Sequence, residues 1–174
     1  MPKRIDIRAL PLQIGTYYPP PYDEPCRGRE RFRLGDAAGL TQFGVNLLTL
    51  KPGVWSSQRH WHSTQDEFVW VLEGELVLVS DDGEEILKAG DCAGFKADDG
   101  NGHHFQNRGT RDALVLEIGT RNGHDSVTYP GIDLAYPPGG VVRGQSAARA
   151  RFFTASLDRG VLRVPQDFYA RGGR

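Results

Sequence analysis

The sequence predicts an all-β domain, a small antiparallel β-barrel or jelly roll, on three observations. Glycine and proline are abundant, at 22 and 11 of 174 residues, while no long stretch carries the 3.6-residue apolar period of a helix. Between residues 31 and 120 the chain breaks into about nine short strand-like runs with a turn every eight to twelve residues or so, the rhythm of sandwiches and barrels. The pattern has no second copy after residue 120, so a single barrel is expected rather than a tandem pair.

The runs follow in order. Arg31-Phe32-Arg33-Leu34 alternates and is broken by Gly35-Asp36-Ala37-Ala38-Gly39. Gln42 to Leu50 is β-rich and ends at the turn Lys51-Pro52-Gly53. Ser56 to His62 alternates again. Glu67 to Leu72 and Glu75 to Val79 flank Glu73-Gly74, and Asp81-Asp82-Gly83 is a hairpin turn into Glu84 to Leu87. Lys88-Ala89-Gly90-Asp91 turns into Cys92 to Phe95, and His103 to Asn107 and Ala113 to Ile118 complete the set.

Three segments are expected: an extended N-terminal arm over 1–30, the barrel over 31–136 and a C-terminal tail over 137–174. Tyr17-Tyr18-Pro19-Pro20-Pro21-Tyr22 cannot form a central strand, because proline lacks the ladder donor. Its aromatic rings give an arm something to bury on the domain surface. The tail follows Pro137-Pro138-Gly139-Gly140 and carries Arg143, Arg149, Arg151, Arg159, Arg163, Arg171 and Arg174 against Asp158 and Asp167. It holds no nucleic-acid-binding motif and reads as a segment that wraps the barrel or a partner subunit, or is simply mobile.

A net charge of -1 recruits neither nucleic acid nor an anionic membrane. The N-terminus has no apolar run of signal-peptide length, and no stretch reaches transmembrane length. Cys26 and Cys92 are expected as two reduced thiols of a cytoplasmic protein.

The chemistry concentrates on histidines. In a strand His60 and His62 share one face with Trp61 on the other, so the pair forms a bidentate metal clip. Five residues on, Glu67 opens the next strand and returns beside the clip; it is preferred to Asp66, which belongs to the turn. A third imidazole comes from His103 or His104 on a distant strand. His103 with Phe105 inward is the better arrangement, leaving His104 outward or towards a partner. Three neutral imidazoles and a carboxylate suit one divalent transition metal: Fe, Mn, Ni, Co or Zn. Gln58, Phe105 and Asn107 are candidates for the pocket lining.

These residues resemble the cupin family. Gly53…His60-Trp61-His62…Glu67…Gly74 is similar to the first cupin motif, and Gly90-Asp91…His103…Asn107 to the second. By position the second motif selects His103. Lys96 stands where that motif has proline, Asp98 where it has glycine, and the loop Ala97 to Gly102 is about two residues longer than the motif allows. The resemblance covers roughly residues 40–120. It implies the double-stranded β-helix fold and a metal ligand set, but leaves the reaction open among dioxygenases, lyases, decarboxylases, isomerases and non-catalytic binding proteins. The small single-domain bacterial members it most resembles are described as sugar-phosphate isomerase-like.

The expected function is therefore that of a small metalloenzyme acting on an oxygen-bearing metabolite, the alternative being a non-catalytic metal or metabolite binding module. Arg59, Lys96 and Arg121 are the basic residues available to a phosphate, although Arg59 alternates away from His60. Opposite the ligand face, Trp61, Phe68, Trp70 and Leu72 are too apolar to be left to water. Either the arm covers them or, as expected here, a second copy does, making a homodimer.

Overall fold

A computed structural model describes residues 4–136; the arginine-rich stretch from residue 137 lies outside the described residues. Twelve strands run through the described part: β1 (Gln13–Ile14), β2 (Glu30–Arg33), β3 (Phe43–Leu50), β4 (Trp61–His62), β5 (Glu67–Glu73), β6 (Glu75–Ser80), β7 (Gly83–Lys88), β8 (Cys92–Phe95), β9 (His104–Gln106), β10 (Ala113–Thr120), β11 (Val127–Thr128) and β12 (Ala135–Tyr136). They form a six-stranded sheet in the order β1-β2-β3-β10-β5-β8 and two three-stranded sheets, β7-β6-β9 and β12-β11-β4. All pairings are antiparallel. The architecture is a jelly roll whose sheets face each other without closing into one continuous hydrogen-bonded barrel.

The core follows from strand alternation. Leu48 and Leu50 of β3, Val69 and Val71 of β5, and Ala113 and Val115 of β10 point inward, where Leu76, Leu87 and Phe105 from the facing side meet them. Continuing along the same inward faces, β3 reaches Asn46, β5 reaches Glu67 and β10 reaches Glu117. In register, Asn46 faces Glu117, Glu117 faces Val69, and Gly119 faces Glu67. The interior is thus apolar at one level and polar at the next, and the polar level holds the site.

The N-terminal residues join the fold more closely than an arm laid on its surface. β1 pairs with β2 at the sheet edge, and Cys26 and Arg29 are buried. Tyr18 and Tyr22 pack against a second cluster of Val127, Tyr129 and Leu134. Trp55 N donates to Pro25 O at 2.8 Å, and Gln58 Nε2 to Tyr22 O at 2.7 Å, tying the arm to the ligand-bearing segment.

One expectation changes here. Residues 56–62 do not form one alternating strand: Ser56, Ser57 and Gln58 are all buried in succession, and only Trp61–His62 is ladder, beyond single bridges at Trp55 and His60. The segment is held by side-chain and arm contacts, which release it from the two-residue period. Gly74, between β5 and β6, has φ +78°, and a Cβ there would lie 2.7 Å from Asp112 O. Only glycine fits both constraints.

Candidate metal centre

Four side chains converge in the polar layer. The bridge between His60 and His103, with His60 N to His103 O at 3.1 Å and His103 N to His60 O at 2.8 Å, brings the two sequence motifs together. The Nε2 atoms of His60, His62 and His103 lie 3.8, 3.6 and 3.0 Å from one oxygen of Glu67. His60, His62 and Glu67 each offer a ligand atom within 4.8 Å of the others, while His103, hydrogen-bonded through Nε2 to Glu67, lies outside that three-residue group. His103 stacks on Phe95, with ring centroids 3.5 Å apart.

Hydrogen bonds set the tautomers. His60 Nδ1 lies 2.9 Å from Gln58 O and therefore carries the proton, leaving Nε2 with a free lone pair. His62 Nδ1 donates to Asp125 Oδ2 at 2.6 Å. The other oxygen of Asp125 accepts from Thr64 N at 2.9 Å, Thr64 Oγ1 at 3.2 Å and Ser63 Oγ at 3.4 Å. A carboxylate behind a ligating histidine fixes its ring and raises its basicity.

Protonation also suits metal binding. Burial pushes His60 down to about 4, so its imidazole is neutral at pH 7. For Glu67, burial opposes ionisation, but the His103 hydrogen bond and the three imidazoles outweigh it and bring the carboxyl down to about 2. The His60 imidazole, neutral with its Nε2 lone pair free, and the ionised Glu67 carboxylate are donors suited to a divalent transition metal.

The pocket candidates are committed elsewhere. Asn107 Nδ2 donates to Leu50 O and Arg111 O at 2.7 and 2.8 Å, its Oδ1 accepts from Gly109 N, and Phe105 belongs to the core. Gln58 holds the arm. His104 does not face outward to solvent: it is 4% exposed, its ring 4.9 Å from that of Trp55, with Gln106 Nε2 2.7 Å from its Nε2. Alternation does place it opposite His103, but Trp55 covers that face. Arg59 pairs with Asp81, and Arg121 with Asp36 and Leu40 O, so neither is free for a substrate. The long loop is anchored by Asp98 N to His62 O at 2.8 Å, with Asp98 at φ 60°. A cleft of about 380 Å³ lined by Leu78, Glu85, Leu87 and residues 90–93 shares none of the ligand residues.

Asp125 escaped the sequence reading, since it lies in a polar loop without period. The only advance signal for Asp125 was its residue type, 63 positions from His62.

Comparison with known proteins agrees with this architecture. The family described as "Cupin domain" matches residues 46–119, which contain all four converging side chains. A structure from Silicibacter pomeroyi described as a sugar phosphate isomerase from a cupin superfamily is 43% identical, covering 84% of this chain and 94% of its own, with a TM-score of 0.78. A putative sugar phosphate isomerase from Acidithiobacillus ferrooxidans is 29% identical over 79% of this chain and 82% of its own, with a TM-score of 0.61. A polyketide cyclase from Streptomyces resistomycificus, 19% identical over 69% of this chain and 80% of its own, shares the fold with a TM-score of 0.55. No curated protein matches. With its jelly roll, its two motifs meeting at one point and a relative this similar over nearly its whole length, the chain belongs to the cupin superfamily.

Proposed function

We propose that the protein is a metal-dependent enzyme acting on a small oxygen-bearing metabolite, with His60, His62, Glu67 and His103 as ligands. The observation that carries this is the approach of three imidazole Nε2 atoms to one Glu67 oxygen. An ion held there supplies Lewis acidity towards a substrate oxygen, or redox chemistry if it is iron. The protein's own part is to hold the ligands. Gln58 O fixes His60, Asp125 fixes His62, Phe95 backs His103, and the loop anchored by Asp98 stands at the rim.

The reaction is a dioxygenase, lyase or sugar-phosphate isomerase type. Similarity to the Silicibacter and Acidithiobacillus proteins supports the isomerase type. The alternative, a non-catalytic binding module, is favoured by one observation: the side chains of Gln58 and Asn107 are spent on backbone groups. Metal-loaded protein incubated with sugar phosphates and small carboxylates, with and without dioxygen and followed by NMR, separates the two. Turnover that disappears with EDTA and in His62→Ala supports the enzyme; saturable binding with no turnover supports the module.

The assembly is part of the proposal. Phe68 and Trp70 are 41% and 46% exposed on the outer face of the six-stranded sheet, in register with Ile118 and Leu116. We propose a second copy as their cover: these four residues are uncharged and can meet themselves across a two-fold axis without burying like charges. A cytoplasmic setting is proposed from the two free thiols, Cys26 and Cys92. Among the described residues no helix is long and apolar enough to cross a membrane.

A further inference from the structure

On the β2 side of the polar layer two guanidinium groups lie close to a single carboxylate. Arg31 Nη2 lies 3.1 Å from Glu117 Oε2, which Asn46 Nδ2 also approaches at 3.5 Å. Arg31 Nε is buried without a hydrogen-bond partner. Arg29 is only 8% exposed, and its guanidinium donates to two backbone carbonyls, Gly15 O at 3.2 Å and Ser56 O. Among the described residues no carboxylate lies within ion-pair distance of Arg29. Its charge feels that of Arg31, which opposes it, and of Glu117, already held by Arg31. Two guanidinium groups therefore share one carboxylate, and a buried charge left uncompensated is costly.

Two separate paths link this pair to the ligand cluster. Glu117 and Glu67 occupy the same inward face, diagonal to each other across β10 and β5, a separation of roughly 7–8 Å. On the other path, Arg29 acts on Tyr18, whose hydroxyl is hydrogen-bonded to Tyr129; the Tyr129 ring is 5.8 Å from that of His60. The basic residues expected from sequence, Arg59 and Arg121, each have an aspartate of their own, whereas Arg29 and Arg31 have one carboxylate between them.

We propose that Arg31, with Arg29 behind it, is an anion anchor for the substrate, binding a carboxylate or phosphate while another oxygen of the same molecule faces the ligand cluster. Arg31 makes the contact and Arg29 supplies the uncompensated charge. Glu117 competes with the incoming anion for Arg31. This rests on the reading of the cluster as a substrate site and narrows the substrate to a small anion.

The test is calorimetric titration of the full-length protein with inorganic phosphate and, separately, acetate, both metal-loaded and after EDTA. The EDTA arm removes binding to an ion, so failure of the metal reading and failure of the anchor are distinguished. At least one anion is expected to bind the stripped wild type. Arg31→Gln weakens that binding at least tenfold, Arg31→Lys retains most of it, and Glu117→Gln strengthens it severalfold. Stronger binding of phosphate marks a phosphorylated substrate, and stronger binding of acetate a carboxylic acid. A structural ion pair would instead give changes of the same sign, or none, in Arg31→Gln and Glu117→Gln. That result, or a stripped wild type that binds neither anion, overturns the proposal.

Discussion

At the scale of the residue, the centre depends on groups that touch no ion. Asp125 holds His62 through Nδ1 and is itself held by Ser63 and Thr64. Asp125→Asn keeps the shape but weakens the acceptor, and is expected to lower metal affinity by about 10–100-fold; competition with a chromophoric chelator measures it. The metal-free protein should also respond to acid in a definite direction. His60 is depressed from 6.5 to about 4, and Glu67 from 4.5 to about 2. Within each interval the unfolded chain binds a proton that the folded chain does not, so stability rises with pH. Denaturation in EDTA is expected to show a loss on the order of 3 kcal/mol from His60 as the pH falls from 6.5 to 4. Glu67 adds to the loss below 4.5, and unchanged stability across this range would contradict the burial of His60. The two thiols differ as well. Burial pushes Cys26 up to about 11, whereas Cys92 is exposed; a thiol reagent at pH 7 should label Cys92 at once and Cys26 only on unfolding.

At the scale of the element, alternation was enough to find most of the sheet. Runs such as Glu67–Glu73 and Ala113–Thr120 have one face in the core, so the two-residue period appears in their letters. Glu67 and His103 lie beside His60 and His62, Glu67 on the inward face of its strand, whereas Asp66 holds the turn through Ala97 N and Thr120 N. Residues 56–60 were less legible: their burial comes from hydrogen bonds to the arm and to β9, which leave no period. β1, β11 and β12, two residues each, are too short to show one. Asp125 and the Arg29–Arg31 pair were missed for a related reason, since their roles arise from contacts across 63 and 86 positions, to His62 and Glu117. The turn at Gly74 is a local feature with a sharp consequence. Gly74→Ala meets both a positive φ and the Asp112 carbonyl, and a loss of about 2 kcal/mol or more in urea denaturation is expected.

At the scale of the whole molecule, the two faces of the six-stranded sheet do different work. The inner face passes from a dry core to a polar layer with the ligands, and the outer face presents Phe68 and Trp70 to its surroundings. Sedimentation equilibrium is expected to give twice the 19.3 kDa chain mass, and Trp70→Glu to return the monomer with its metal site intact; a monomeric wild type would contradict the self-pairing. The centre itself is tested most directly by elemental analysis of untagged protein, with His60→Ala prepared in parallel. Close to one divalent transition metal ion per chain is expected in the wild type, with its loss in the variant. A wild type without stoichiometric metal, or a variant that keeps it, would overturn the metal centre.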